Sequence, residues 1–292
     1  MRRRSGAKSK LMKTQTFAVV GLGLLGGSLG AALRQAFPKS KILGYSRSAS
    51  KVKLAQKKGL IHQGSTQLNK IVPSADVIII CTPVDTISEF AKQIDIHAKP
   101  GTIVTDVGST KNDIVKWAAK QSFRNISFVG SHPMAGSHLT GLEHAKKDLY
   151  NRAVVFVTRH SGISQRALKV VKSIWFRLRC QVVEIDSKRH DEVVAQISQF
   201  PHLLSALLVD LASDRALKFA STGFRDTTRI AQGDPRLWAP IFLTNRSAIN
   251  QLIIRSEKQL NHLKTALSRR DINFLLKFLK NSANRRQKIN QK

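Results

Sequence analysis

An apolar, β-branched run from Thr16 passes without a break into Gly21-Leu22-Gly23-Leu24-Leu25-Gly26, and a helical stretch from Leu25 to Ala36 follows, ended by Pro38. Three glycines at this spacing mean little alone. Between a strand and a helix they commit the chain to a βαβ unit that accepts a dinucleotide. Gly21 permits the tight turn, Gly23 lets a pyrophosphate approach the backbone, and Gly26 lets the helix pack closely on the strand. The helix N-terminus then offers free N–H groups and a partial positive charge to the phosphates. Leu24 and Leu25, inside the same turn, join the three glycines as expected cofactor-binding residues.

The pattern continues through the first half of the chain. Residues 41–47 read as a second strand with a helix after it, and 76–82 (DVIIICT) is almost wholly apolar. Such a run suits a central parallel strand covered on both faces. Further strands are expected at 102–107, 126–130, 153–158 and 180–185. Beyond Asp186 apolar residues recur at three- and four-residue spacing over 190–220, 234–268 and 271–283, which predicts helices and no strand. The expected fold class is therefore α/β, a Rossmann-type and mostly parallel sheet followed by an all-α domain. The boundaries expected are a basic tail at 1–14, a dinucleotide-binding domain at 15–186, a helical domain at 187–283 and a second basic tail at 284–292.

The end of the second strand bears on the cofactor. An NAD-binding fold places Asp or Glu there for the ribose 2′-hydroxyl; this chain has Tyr45-Ser46-Arg47-Ser48. A carboxylate would repel a 2′-phosphate, whereas Ser46, Arg47 and Ser48 offer hydroxyls and a guanidinium. The reading is NADP, with the alternative that Arg47 stacks on adenine and NAD is accepted as well. Thr82 and Pro83, following the apolar strand, are placed beside the cofactor at the carboxyl edge of the sheet.

Lys and Arg number 49 against 18 Asp and Glu, a formal net charge of +31. Attraction to nucleic acid is one reading of that excess. The preferred one is a basic background plus a site for multiply anionic ligands, because no nucleic-acid module is recognisable and aromatic residues, 6% of the chain, are not interleaved with the charges. The basic N-terminus lacks the apolar core of a signal peptide, and no run of about 18 apolar residues occurs, so neither secretion nor a membrane span is expected. Cys81 and Cys180 sit in apolar runs and read as buried thiols, which suits a cytoplasmic location. No metal site is expected.

Further motifs follow in order: Asp106-Val107-Gly108-Ser109-Thr110-Lys111, Gly130-Ser131-His132-Pro133-Met134-Ala135-Gly136-Ser137, Arg189-His190-Asp191, Phe200-Pro201-His202, and Gly223 to Ala231 with Asp226 and Arg229, before Asp234-Pro235, Trp238 and Asn245. Taken with the glycine turn, they resemble the prephenate/arogenate dehydrogenase family from about residue 16 to residue 280. Composition and periodicity alone lead only to an NAD(P)-dependent oxidoreductase. The resemblance implies oxidative decarboxylation of prephenate or arogenate in tyrosine biosynthesis, by a homodimer assembled through the helical domain. Residue roles come with it. His132 is the acceptor of the substrate's hydroxyl proton, and Ser109 hydrogen-bonds the hydroxyl or the imidazole. Arg229 clamps a carboxylate and Asp226 orients it, while His190, His202 and Ser137 contact substrate or cofactor. Trp238 reads as core, and the remaining histidines as surface or structural.

The chain departs from the family at His138, where Glu is usual. A carboxylate there would raise the pKa of nearby histidines, so an altered pH profile and anion response are expected. No regulatory domain is expected after the last helix, so feedback by tyrosine would act at the active site. Two alternatives stay open: another β-hydroxyacid-type dehydrogenase, and a basic NADP-binding protein without catalysis.

Overall fold

A computed structural model describes residues 15–136, 139–159 and 162–289. Its first sheet is built from β1 (Thr16–Val20), β2 (Lys41–Tyr45), β3 (Gln63–Ser65), β4 (Val77–Ile80), β5 (Thr102–Asp106) and β6 (Ile126–Val129). All pairings are parallel, in the order β3-β2-β1-β4-β5-β6. Helices α1 (Leu24–Ala36), α2 (Ala49–Lys57), α3 (Ile87–His97) and α4 (Asn112–Ala119) connect the strands. The strand order reverses between β1 and β4, and in such sheets ligands bind beyond the carboxyl ends at that point.

Alternation along the strands explains the sheet's two cores. Phe17, Val19, Val77 and Ile79 pack on one face, while Ala18, Val20, Ile78 and Ile80 pack on the other. Both faces of β4 are buried, which is why its sequence is an unbroken apolar run.

A second sheet was not anticipated. β7 (Ser131–Pro133) pairs antiparallel with β8 (Val154–Arg159), and β8 pairs parallel with β9 (Gln181–Asp186). Helix α5 (Gln165–Arg177) connects β8 to β9. The single series expected from sequence splits at Gly130, whose carbonyl accepts the Thr158 N–H at 2.9 Å and turns the chain onto β8. A Cβ at Gly130 would lie 2.6 Å from Thr158 Oγ1, so the crossing needs glycine. At three residues each, β3 and β7 are too short to leave an alternation pattern.

Helical structure takes over at Asp186, whose carboxylate caps α6 (Ser187–Val194) by accepting the N–H groups of Lys188 and Arg189. A π-helical segment, Ala195–Gln199, joins α6 to α7 (Phe200–Leu211). Pro201 occupies the first turn of α7, where its missing N–H is tolerated, and the π segment absorbs the irregularity just before it. The run Ser187–Leu211 has, by length and composition only, what a helix needs to cross a membrane. Here its buried positions include His190, Asp191, Gln199 and His202, polar side chains committed to the site described below.

Then come α8 (Asp214–Leu217), α9 (Thr222–Thr228), a 3-10 turn (Arg229–Gln232) and α10 (Pro235–Thr244). Two long helices follow, α11 (Arg246–Ser268) and α12 (Ile272–Gln287). The expected helix over 234–268 is broken at Asn245, whose amide is drawn into side-chain bonding with Gln199 Oε1 (2.6 Å) and the Asp191 carbonyl (2.9 Å). Residues 284–287, expected as tail, extend α12 instead. By packing, the chain forms one compact unit up to Asn245 and a second from Arg246 onward. The change from α/β to all-α at Asp186 is thus not a change of packing unit.

Candidate active site

Within the first unit a cleft of about 690 Å³ opens at the carboxyl ends of β1, β4 and β5. Gly23, Leu24 and Leu25 line it from the glycine turn, and Thr82 and Pro83 from the end of β4. Gly21 and Gly26 shape the turn from behind. Gly21 has φ +104°, and a Cβ there would sit 2.7 Å from the Cys81 carbonyl, so β1 could not lie beside β4 with any other residue. A Cβ on Gly26 would run into the Gly21 carbonyl oxygen. Gly23 is the reverse case: a Cβ would meet nothing within 4 Å. It caps α1 without any side-chain hydrogen bond, so the helix's first N–H groups keep their capacity for an anion. This cradle fits a pyrophosphate.

The second-strand residues behave differently from expectation. Ser46 is buried and its hydroxyl accepts the Ser48 N–H at 3.3 Å, while Ser48 Oγ caps α2 by accepting the Lys51 N–H at 3.4 Å. Neither hydroxyl lines the cleft, because both are occupied in starting the helix. Arg47 is exposed. Lys51, one turn into α2, does line the cleft and was not singled out from sequence.

The loop from β5 to α4 carries Ser109 to the cleft wall. Asp106 organises it. One carboxylate oxygen accepts the Gly108 N–H at 2.9 Å and the Lys111 ammonium; the other accepts the Ser131 N–H at 3.0 Å. The Ser109 carbonyl accepts a hydrogen bond from Gln199 Nε2 at 3.2 Å, which ties the loop to the π segment.

His132 lies in β7 and lines the cleft, with 8% of its surface exposed. Its Nδ1 is 2.9 Å from Nε2 of His190, and the two rings meet edge to face. Burial, with the neighbouring His190 and Lys111, holds the His132 pKa well below the ordinary histidine value. It is therefore neutral at neutral pH and has a lone pair to offer.

His202 is placed in α7, its ring stacked on the Trp238 indole at 3.7 Å between centroids and 19° between planes. Burial lowers its pKa. Both rings line the cleft, so Trp238 is a wall of the site and not the core residue expected from sequence. Its partners come from α7 and α10, a pairing that spacing along the chain does not reveal. Arg229 and Arg236 line the cleft as well, and with Lys51 they outnumber its one acidic lining residue, Asp234. The wall suits anionic ligands.

Two expected contacts are not made. His190 is fully buried behind His132, bonded to it and to Asp191, and does not reach the cleft. Asp226 is exposed and lines a separate recess with Arg229, without forming an ion pair with it. Helix α9, which carries Asp226, ends at Thr228, and Arg229 opens the 3-10 segment that follows. Ser137 and His138 lie outside the described residues. Beyond Lys51 and Trp238, sequence reasoning assigned no role to Gln199 or Asp191. Asp191 stands in the Arg189-His190-Asp191 motif and Gln199 precedes Phe200-Pro201-His202, but nothing in local spacing marks either as a hydrogen-bonding partner of the β5–α4 loop.

Both halves of the chain are similar to known proteins. The family model "Prephenate dehydrogenase, nucleotide-binding domain" matches residues 29–184, and "Prephenate dehydrogenase, dimerization domain" matches residues 186–281. A prephenate dehydrogenase of Lactococcus lactis is 35% identical over 87% of this chain and 71% of its own length. The crystal structure of prephenate dehydrogenase from Aquifex aeolicus in complex with hydroxyphenyl propionate and NAD+ superposes with a TM-score of 0.89 at 32% identity, covering 96% of this chain and all of that one. Arogenate dehydrogenase from Synechocystis gives a TM-score of 0.80 at 29% identity, covering 94% of this chain and 99% of that one. Two family models spanning both halves, together with a relative at this identity, establish that the chain belongs to the prephenate dehydrogenase family.

Proposed function

We propose that this chain oxidatively decarboxylates prephenate or arogenate, with NADP as its preferred acceptor. The observation that carries the reading is one cleft holding a neutral, buried His132 and the Arg229 guanidinium in the same wall system as the Gly23 anion cradle. The nicotinamide, when bound, supplies the hydride acceptor. His132 takes the proton of the substrate's ring hydroxyl as that carbon is oxidised, which a neutral imidazole does well near neutral pH. Ser109, held by Asp106 and Gln199, hydrogen-bonds the hydroxyl or the imidazole. Arg229 pairs with a substrate carboxylate, where a planar guanidinium gives two parallel bonds. Loss of the ring carboxylate as carbon dioxide then leaves an aromatic product, and the step does not reverse.

The cofactor preference rests on Arg47 and on Lys51, with no carboxylate at the end of β2. The Aquifex relative was crystallised with NAD+, so the preference is a property to measure on this chain. A homodimer is supported by the family model's dimerization domain and by apolar side chains exposed along the helical half, among them Leu211, Ile254, Leu260, Leu276 and Leu279. Initial rates with both substrates crossed with both cofactors test the reading. Turnover of at least one substrate, faster with NADP than NAD at sub-saturating cofactor, is expected. Absence of turnover on both substrates with both cofactors would overturn it.

A further inference from the structure

His132 does not meet the rest of the protein as a free imidazole. Its Nδ1 is 2.9 Å from His190 Nε2, and His190 Nδ1 is 2.7 Å from Asp191 Oδ1. The His190 side chain has no exposed surface, and Phe156 packs edge to face against it. Asp191 is fixed from the other side: Oδ1 also accepts the Lys111 N–H at 2.7 Å, and Oδ2 accepts the Asn112 N–H at 3.0 Å. Those two amides open α4, where the helix dipole favours a negative charge.

Proton positions in this chain of groups follow from the donors. Both oxygens of the Asp191 carboxylate already accept backbone N–H bonds, and a carboxylate oxygen facing a ring nitrogen accepts, so His190 is the donor in that contact. His190 therefore carries its proton on Nδ1 and presents a lone pair at Nε2. His132 must then carry its own proton on Nδ1, which leaves Nε2 as the acceptor. A free histidine has no such obligation.

We propose that Asp191 and His190 are positioning residues that hold His132 in the Nδ1–H tautomer, with Nε2 as its proton-accepting nitrogen. The inference rests on the reading of His132 as the base. In the step itself the substrate O–H bond breaks and an N–H bond forms at His132 Nε2. The charge gained by His132 is then balanced, through His190, by Asp191. The other charged groups around the pair are Lys111 and Asp106, which neutralise each other in a buried ion pair. Asp191 thereby links three pieces of chain: the Ser109 loop through Lys111 and Asn112, the β7 base through His190, and α10 through Asn245.

The test combines nitrogen NMR of the full chain, labelled with 15N-histidine, and steady-state kinetics. In the unmodified protein His132 is expected as the Nδ1–H tautomer; finding it as the Nε2–H tautomer would overturn the proposal without any variant. In His190→Leu and Asp191→Asn, His132 is expected to lose that tautomeric preference. Turnover should fall by about a hundredfold to ten-thousandfold, as for a base held in the wrong tautomer, with KM for the substrate changing far less. His190→Gln, which keeps an acceptor for His132 Nδ1–H, should retain more turnover than His190→Leu and covers the case in which the leucine variant does not fold. Variants with unchanged kcat and unchanged His132 tautomer would overturn the proposal. Failure of the underlying reading looks different: His132→Ala would then keep its turnover, whatever the tautomer in the parent protein.

Discussion

Lys111 and Asp106 form an ion pair in which neither side chain has any exposed surface. Asp106 ends β5, Lys111 precedes α4, and between them lies the loop that carries Ser109 to the cleft. A buried pair of this kind contributes little against an apolar replacement of both partners, but removing one leaves an uncompensated charge. Lys111→Met is therefore expected to cost about 3–5 kcal/mol of stability. Urea unfolding of the variant beside the parent checks this, and a loss below about 1 kcal/mol would contradict the pair's role.

Gly26 meets the Gly21 carbonyl, and that contact is backbone, which cannot swing aside. Gly26→Ala should destabilise the chain by about 1–3 kcal/mol and weaken cofactor binding, because the α1 N-terminus must move away from the pyrophosphate cradle. Gly23→Ala meets open space in the protein alone, so its cost should appear only with cofactor present. Thermal unfolding with and without NADP separates the two variants.

In the proposed reading, Arg47 and Lys51 bear on the cofactor's adenosine end. Arg47→Ala combined with Lys51→Ala is expected to raise the KM for NADP by about tenfold or more, the scale of a lost charge-assisted hydrogen bond, and to leave NAD nearly unaffected. Equal effects on both cofactors would show that these side chains do not recognise a 2′-phosphate.

His132, His190 and His202 all have pKa values lowered, burial being the largest cause for each. Between the folded and unfolded pKa values the unfolded chain binds more protons, so stability rises with pH in that window. These three groups thus leave stability unchanged above about pH 6.5 and lower it as pH falls from there through their folded pKa values. Thermal midpoints measured from pH 8 to pH 5 should hold level and then drop. Replacing His202 by Gln should shrink the drop.

Trp238 stacks flat on His202 at the cleft wall. Trp238→Ala removes that face and should raise the substrate KM while leaving kcat within about threefold, since neither ring accepts the reacting proton in the scheme above. A large fall in kcat with unchanged KM would place Trp238 closer to the chemistry than the wall.

Much of this protein was legible in its sequence because the signals are local. The glycine turn, the apolar strands and the helical periodicity after Asp186 each follow from backbone geometry over a few residues, and the parallel sheet and the helical half were expected from them. The cleft positions of Ser109, His132, His202 and Arg229 were expected from the motifs in their order. The second sheet was not legible, because β7 is three residues long and Gly130's turn depends on Thr158, 28 residues away.

What tertiary structure alone decided is which polar groups face one another. Periodicity predicted helix over 190–220 and said nothing of the π segment that separates His190 from His202. That segment brings Gln199 against the Ser109 carbonyl and Asn245. Packing turned His190 from an expected ligand contact into the partner behind His132, and showed Trp238 as cleft wall and not core. Hydrogen bonds between side chains far apart in sequence leave no periodic trace, since each needs only one residue at one place. The glycine turn at 21–26 declares itself because its geometry closes within six residues; the bond from Asp191 to the start of α4 spans 80 residues and exists only once α6 has been packed against the start of α4.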